Sequence, residues 1–231
     1  MVAEMGAVRG LIRSTFFDGD QEAGKDPAQK RPVITLSRDL GALGEEVALL
    51  LGERLGLDLF GYSVVDSIIQ QSHTDKHLTK MLDERVNSTM DEWIRSMLGG
   101  PGLTMNDYIR QLVRIVMAIA PTGGIIIGRG AHLILSRHPR TFRVRVEGSH
   151  EACVGRVARH EGLTREEAER KVAETNRERA AFVREVYKHF PSDRNHYDLV
   201  INSDHLDPKS IADIILLAMA RRGLIAETAA A

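Results

Sequence analysis

Residues 34–60 read ITLSRDLGALGEEVALLLGERLGLDLF, and this stretch decides the fold. A short apolar run, Val33–Leu36, predicts a strand, and it passes into a turn that contains two glycines. The next segment, Glu45–Leu55, predicts a helix because its apolar residues recur at helical spacing. A second short strand is predicted over Leu57–Phe60. The order strand, loop, helix, strand is typical of an α/β domain.

The rest of the chain continues this alternation. The predicted strands are Gly123–Gly130, Phe142–Val146 and Leu199–Ile201, and the predicted helices are Ser63–Gln71, Asp75–Leu98, Thr104–Ala120, Ser149–His160, Thr164–Phe190 and one that starts at Asp207-Pro208. A breaker, GGPG, stands at Gly99–Gly102. Thr164 and Glu167 form a capping-box pattern at the start of one helix. Together these elements predict a five-stranded parallel sheet with right-handed crossovers.

Composition narrows the class of protein. Apolar residues make up 43% of the 231 residues and charged residues 27%, which is typical of a globular protein. The net charge of −1 provides no positive field for unspecific nucleic-acid binding, so we expect no specific nucleic-acid partner. No apolar run reaches the length of a membrane span, and we expect no membrane partner. Cys153 is the only cysteine, which fits a reducing compartment and a cytoplasmic protein.

Both ends of the chain are predicted to lie outside the domain. Met1–Phe17 reads as a weak amphipathic tail or interface helix, and its acidic residue argues against a signal peptide. Asp18–Pro32 is polar and interrupted by prolines, as linkers are. We therefore expect a tail and linker over residues 1–32, one domain over residues 33–222 and a C-terminal tail over residues 223–231.

The turn after the first strand is a candidate anion site. Backbone N–H groups and the helix dipole at such a turn favour phosphate, and glycines let the backbone approach it. Compared with the pattern G-x-x-x-x-G-K-[ST], this loop has Arg38 and Leu43 in place of the glycines, Gly44 in place of the lysine and Glu45 in place of the hydroxyl residue. From the residues alone, a phosphate loop and a plain strand–helix turn both stay open. Arg38 either replaces the missing cation or pairs with Asp39 or Glu45.

Several motifs together resemble the cytidylate kinase-like family of P-loop nucleoside monophosphate kinases. They are the opening run over residues 34–60, the segment IIIGRGAHLIL, the segments TFRVRVEGSHEACVGRV and ETNRERAAF, and the run YDLVINSDHLDP, in that order. The resemblance implies a three-layer P-loop kinase-like fold in which helices flank the five-stranded parallel sheet. It also implies a helical arm that binds the acceptor, over about residues 61–120, and a lid over about residues 162–190.

The resemblance further implies phosphoryl transfer from ATP, with Mg²⁺ bound to its phosphates and no separate metal site on the protein. The residues expected to bind the nucleotide are Ser37, Arg38, Gly41, Ala42, Leu43, Gly44, Glu45 and Glu46. Arg129, directly after a buried strand, is expected to bind the acceptor phosphate by this resemblance. Asp66 is also expected to bind the acceptor, although this region departs from the family, which usually has a serine and an arginine near that position, so the acceptor base stays open. The expected catalytic residues are the lid arginines Arg177, Arg179 and Arg184. Without the resemblance, the arginines of this helix read as a solvated face paired with glutamates.

These expectations lead to an ATP-dependent phosphotransferase of the nucleoside monophosphate kinase type, with small nucleotides as partners and a homodimer as one possible assembly. Two alternatives stay open because the loop lacks the lysine and the hydroxyl residue. One is a nucleotide-binding regulatory module without turnover. The other is a kinase for an acceptor that is not a nucleotide.

Overall fold

The computed structural model describes residues 31–74 and 107–227, with the side chains of the first range up to residue 70. Its strands are β1 (Val33–Arg38), β2 (Leu59–Phe60), β3 (Gly124–Ile127), β4 (Thr141–Glu147) and β5 (Leu199–Asn202). Its α-helices are α1 (Gly44–Leu55), α2 (Tyr62–Thr74), α3 (Asp107–Ile119), α4 (Ala131–Ile134), α5 (His150–Glu161), α6 (Arg165–Tyr187) and α7 (Pro208–Arg221), and a 3₁₀ turn spans Arg194–His196. The helix predicted over Asp75–Leu98 and the breaker Gly99–Gly102 lie outside the described residues.

The five strands form one sheet in the order β2-β3-β1-β4-β5, and every pair is parallel. β1 is central, with Thr35 in register with Ile126 of β3 on one side and Arg143 of β4 on the other. The chain runs from β1 to one side of the sheet, returns to β3 and then continues to β4 on the other side. Ligands in such sheets bind where the strand order reverses, at the carboxyl ends of the strands.

Helices cover both faces of the sheet, which confirms the predicted three-layer α/β fold. Alternate residues of β1 face opposite sides: Ile34 and Leu36 pack in a cluster with α1, α5 and α7, whereas Val33 packs with α2 and α3. The three isoleucines of β3 divide in the same way, with Ile126 on the second side. Burial on both faces explains why β3 reads as a continuous apolar run rather than an alternating one.

Two predicted strands are shorter in the structure for a backbone reason. The strand predicted from Leu57 begins at Leu59, because Gly56 ends α1 at φ 60° and the Leu57 N–H donates to the Gly52 carbonyl, 3.0 Å away. The strand predicted to reach Gly130 ends at Ile127, because the next three residues all adopt positive φ. Such left-handed residues cannot continue a strand.

The helix starts agree with the sequence. Thr164 and Glu167 form the predicted capping box at α6. Asp207 caps α7 by accepting a hydrogen bond from the Ser210 N–H at 2.7 Å. α6 ends three residues earlier than predicted, at Tyr187, where Lys188 turns left-handed with φ 59°. Among the described residues, no helix is long and apolar enough to span a bilayer.

Candidate active site

A cavity of about 430 Å³ opens at the carboxyl ends of β1, β3 and β4, next to α6. Its lining residues come from these strand ends, from α2 and α6, and from the segment before β5: Ser37, Arg38, Asp39, Tyr62, Ile127, Gly128, Arg129, Gly130, His132, Arg145, Thr175, Asn176, Glu178, Arg179, Ala180, Phe182, Val183, Pro191 and Tyr197. Four of these are arginines and two, Asp39 and Glu178, are carboxylates, so the cavity is strongly charged.

The loop between β1 and α1 turns sharply into the start of the helix. Gly41 and Leu43 both adopt positive φ, 81° and 66°, and Leu43 stands where the sequence pattern has its second glycine. A residue with a side chain is strained there by roughly 1–2 kcal/mol. The N–H groups of the first turn of a helix have no partner within the helix, and Leu43 offers them no side-chain cap in α1. These donors and the helix dipole favour an anion at this point.

Arg38 and Arg179 meet at Glu45, on the first turn of α1. Arg38 donates from Nε at 2.9 Å and from Nη2 at 2.8 Å to the same carboxylate oxygen, Oε1. Arg179 has Nη2 at 3.9 Å from that oxygen and donates from Nη1 to the Arg38 carbonyl at 3.2 Å. Burial and the charge of Arg38 lower the pKa of Arg179 to about 10, so it stays a cation at neutral pH.

Arg129 is held rigidly on the other side of the cavity. It adopts φ 55°, between two glycines that are also left-handed. Its Nη2 donates to both carboxylate oxygens of Asp66, at 2.9 and 2.8 Å, and its guanidinium lies 3.7 Å from the ring centre of Tyr62. Tyr108 donates to the same carboxylate at 2.7 Å. The Tyr187 hydroxyl donates to the Arg129 carbonyl at 2.7 Å and fixes the backbone as well.

Several contacts brace the loop from outside. The Asn176 Oδ1 of α6 accepts the Leu40 N–H at 2.8 Å. Arg156 of α5 donates to the Gly41 carbonyl at 3.2 Å and also to the Ser203 hydroxyl and carbonyl, at 3.0 and 2.6 Å. The loop after β1 is therefore tied both to α6 and to the loop after β5.

A third arginine–carboxylate pair and a buried histidine also line the cavity. Arg145 of β4 donates to Asp39 at 2.8 Å and to Glu147 at 3.2 Å. His132 is 3% exposed, stacks on Tyr197 and lies with Nδ1 3.3 Å from the Ser37 hydroxyl. Burial, helped by nearby His196 and arginines, lowers the pKa of His132 to about 3. The ring is therefore neutral at physiological pH and serves as packing and a hydrogen-bond partner.

The structure brings many of the predicted site residues together. Ser37, Arg38, Arg129 and Arg179 line the cavity, and Asp66 holds Arg129. The remaining predicted loop residues, Gly41, Ala42, Leu43, Gly44, Glu45 and Glu46, form the adjoining turn and the start of α1. Arg177 and Arg184 are exposed on α6 and do not line the cavity. Their lid role stays a prediction, as do the domain limits.

Sequence reasoning missed Arg145, Asn176 and Arg156. Arg145 had a usable signal, because it is a charged residue near the carboxyl end of a predicted strand, where such sheets bind ligands. The sequence gives no local indication of the contacts of Asn176 and Arg156, because their partners in the loop lie 136 and 115 residues away in sequence. Within residues 31–70 and 107–227, no cluster of three or more His, Cys, Asp or Glu could hold a metal ion.

One solved structure supports the fold, and other known proteins show weaker similarity. A crystal structure of an uncharacterized protein from Eubacterium ventriosum superposes with a TM-score of 0.69 at 20% identity and covers 83% of this chain and 99% of that one. A shikimate kinase from Bacteroides thetaiotaomicron, 14% identical, matches with a TM-score of 0.44 over 82% of this chain and 97% of its own. A uronate isomerase from Corynebacterium glutamicum is 25% identical over 147 residues, 59% of this chain, and the chain spans 28% of that relative's length.

A family model gives the most extensive sequence match. It covers residues 33–205, from the first residue of β1 to the loop after β5, and includes every residue of the cavity and the anion-binding turn. The matched residues are also those that form the sheet and the helices around it, apart from α7. The chain therefore belongs to the cytidylate kinase-like family.

Proposed function

We propose that the protein is an ATP-dependent phosphotransferase of the nucleoside monophosphate kinase type. The observation that carries the proposal is the meeting of an anion-binding turn and a four-arginine cavity at the carboxyl ends of β1, β3 and β4. Phosphoryl transfer needs fixed positive charge and accurate positioning more than it needs covalent chemistry by the protein. Membership of a kinase-like family supports the same reaction class.

The turn is the proposed donor site. Phosphates of ATP would accept hydrogen bonds from the N–H groups of Gly44, Glu45 and Glu46, which lie at the positive end of α1. Arg38 and Arg179 stand beside this point and are positioned to stabilise the charge that develops on the transferred group.

The opposite side of the cavity is the proposed acceptor site. Arg129 would bind the acceptor phosphate, with its orientation fixed by Asp66 and Tyr62. The aromatic rings of Phe182 and Tyr197 also line the cavity and offer surfaces on which a base can stack. A volume of about 430 Å³ falls in the range of small-molecule sites. An ionised acceptor phosphate can attack without a general base.

Mg²⁺ would enter this site on the phosphates of ATP. Protein sites for Mg²⁺ commonly use one or two carboxylates together with substrate phosphates, rather than a cage of protein ligands. Asp39 and Glu45 are the carboxylates beside the turn that would join the phosphates in holding the ion. When bound, Mg²⁺ would neutralise phosphate charge. In the structure, Asp39 pairs with Arg145 and Glu45 pairs with Arg38.

A screen for turnover tests the proposal. The purified protein is incubated with ATP and Mg²⁺ and with each common nucleoside monophosphate in turn, and ADP is measured. We expect ADP release only when one particular acceptor is present. ATP binding without ADP release for any acceptor would favour a nucleotide-binding regulatory module, and release with an acceptor that is not a nucleotide would favour a different kinase.

A further inference from the structure

We propose that Arg38 supplies the cation that the loop lacks at the lysine position. In the absence of nucleotide, Glu45 forms the ion pair with Arg38 that a phosphate forms once the nucleotide binds. The inference rests on the proposed function, since it assumes that phosphates bind at the start of α1. It deepens that function by naming the phosphate-binding cation of the loop and the carboxylate that competes for it.

The packing around Gly44 shows why a lysine cannot stand there. A Cβ placed at Gly44 would lie 2.6 Å from the Cβ of Arg38 and 2.7 Å from its Cγ. These atoms are close to the backbone and cannot move aside as the end of a flexible side chain can. Since the overlap begins at the Cβ, any side chain at position 38, including that of Arg38, excludes a side chain at position 44.

The rest of the Arg38 side chain fills the space between the loop and the turn after β3. A Cβ placed at Gly128 would lie 2.9 Å from the Arg38 Nη1, so the guanidinium lies directly against the turn after β3. The Arg38 side chain is 12% exposed and lines the cavity. Its guanidinium thus lies between the proposed donor phosphates at α1 and the proposed acceptor phosphate at Arg129, where the transferred group must pass.

Glu45 holds the position that a phosphate oxygen would take. Two nitrogens of Arg38 donate to its Oε1, and Arg179 approaches the same oxygen to 3.9 Å, all at the start of a helix. Arginines and a helix N-terminus are the groups that recognise phosphate in proteins. The Glu45 side chain is 48% exposed and can turn into solvent, because such an ion pair contributes at most about 1 kcal/mol.

This arrangement makes Glu45 an internal competitor of the nucleotide. Removing its charge should free Arg38 and Arg179 for the phosphates and tighten binding. Glu46 is a matched control, since it is also an exposed carboxylate in the first turn of α1, with the same relation to the helix dipole. Among the described residues, Arg38 and Arg179 form their ion pairs with Glu45 and not with Glu46.

The test measures ADP and inorganic pyrophosphate binding by calorimetry for the full chain and its variants. We expect Glu45→Gln to tighten binding of both ligands by about fivefold, and Glu46→Gln to change it by less than about twofold. Arg38→Ala should weaken both by about tenfold or more, with Arg38→Lys in between. In the Arg38→Ala background, Glu45→Gln should lose most of its effect. Thermal melts check that each variant is folded.

Specific outcomes would overturn the inference. Equal effects of Glu45→Gln and Glu46→Gln would show that only overall charge matters, and wild-type affinity in Arg38→Ala would show that Arg38 binds no phosphate. If the wild type binds pyrophosphate but not ADP, the proposed nucleotide function fails while the Arg38 variants remain decisive on pyrophosphate. Absence of binding to either ligand overturns the function and the inference together.

Discussion

Gly44 stands at the position where a single side chain decides how the loop binds phosphate. From the sequence alone, a lysine there could repair a deficit or disturb a loop with its own geometry. The 2.6 Å approach of the Arg38 Cβ favours the second outcome. We expect Gly44→Lys to lower the free energy of unfolding by about 1–3 kcal/mol through overpacking, and to weaken ADP binding. Thermal or urea unfolding and calorimetry measure the two effects.

Gly155 provides the matched control for this substitution. It lies within α5, and a Cβ built there meets no atom within 4 Å. Gly155→Lys adds the same side chain and charge without overlap, so stability should be unchanged or slightly higher because glycine is a poor helix former. Tighter ADP binding by Gly44→Lys, with normal stability, would contradict the packing argument.

The arginines of α6 differ in position, and this difference predicts their kinetics. Arg179 lines the cavity and touches the loop, whereas Arg177 and Arg184 are exposed away from it. We expect Arg179→Ala to lower kcat by about 10²-fold with little change in KM, because its charge acts on the transition state. Arg177→Ala and Arg184→Ala serve as controls in the same steady-state assay. A comparable loss of kcat in either would return that residue to the catalytic set.

Arg129 should behave differently from Arg179. It is positioned to bind the acceptor phosphate in both ground and transition states, so Arg129→Ala should mainly raise the acceptor KM and leave kcat nearly unchanged. Steady-state kinetics at varied acceptor concentration separate the two constants. A fall in kcat with an unchanged KM would place Arg129 on the transferred group instead of the acceptor.

At the scale of elements, α6 links the core to the loop. Its first half packs in the cluster with α1, α5 and α7, its last turn packs in the other cluster, and Asn176 between them binds the loop. We expect Thr164→Ala to remove the capping box and lower the free energy of unfolding by about 1 kcal/mol. Urea unfolding measures this loss, and Thr164→Ser, which keeps the hydroxyl, should retain most of the stability. Equal losses in both variants would show that the cap contributes nothing.

The elements also show which parts of the structure can be predicted from the sequence. β3 and α7 were identified because their signals are local: a buried isoleucine run, and Asp207 followed by Pro208. Arg129 was identified as a site residue because it directly follows a buried strand. The start of β2 and the end of β3 were not predicted correctly, because backbone torsion angles at Gly56 and after Ile127 set them. Asn176 could not be found, because only tertiary packing brings it to Leu40.

At the scale of the whole molecule, the buried His132 links folding to pH. Its pKa is lowered from 6.5 to about 3, mainly by burial, so the unfolded chain binds a proton between these values and the folded chain does not. The stability that the neutral His132 ring contributes is fully present above pH 6.5 and is lost as the pH falls below that value. The loss is about 1.4 kcal/mol per pH unit, or about 2 kcal/mol at pH 5. Unfolding experiments between pH 7 and pH 5 measure this slope.

A variant assigns this slope to its source. His132→Leu removes the titrating ring, so its stability should depend less steeply on pH than that of the wild type, whatever its absolute stability. The pKa of His196 is also lowered, mainly by burial, so part of the slope should remain. An unchanged slope in His132→Leu would show that other groups cause the pH dependence.

The mutual exclusion of Arg38 and a side chain at position 44 also restricts how this chain can evolve. Acquiring the lysine first creates the overlap with Arg38, and losing Arg38 first leaves the loop without either cation. Each single step therefore passes through a less fit intermediate, and only a double substitution connects the two solutions directly. If the loop binds phosphate as proposed, it is a separate solution to phosphate binding that single substitutions do not easily convert into the lysine form.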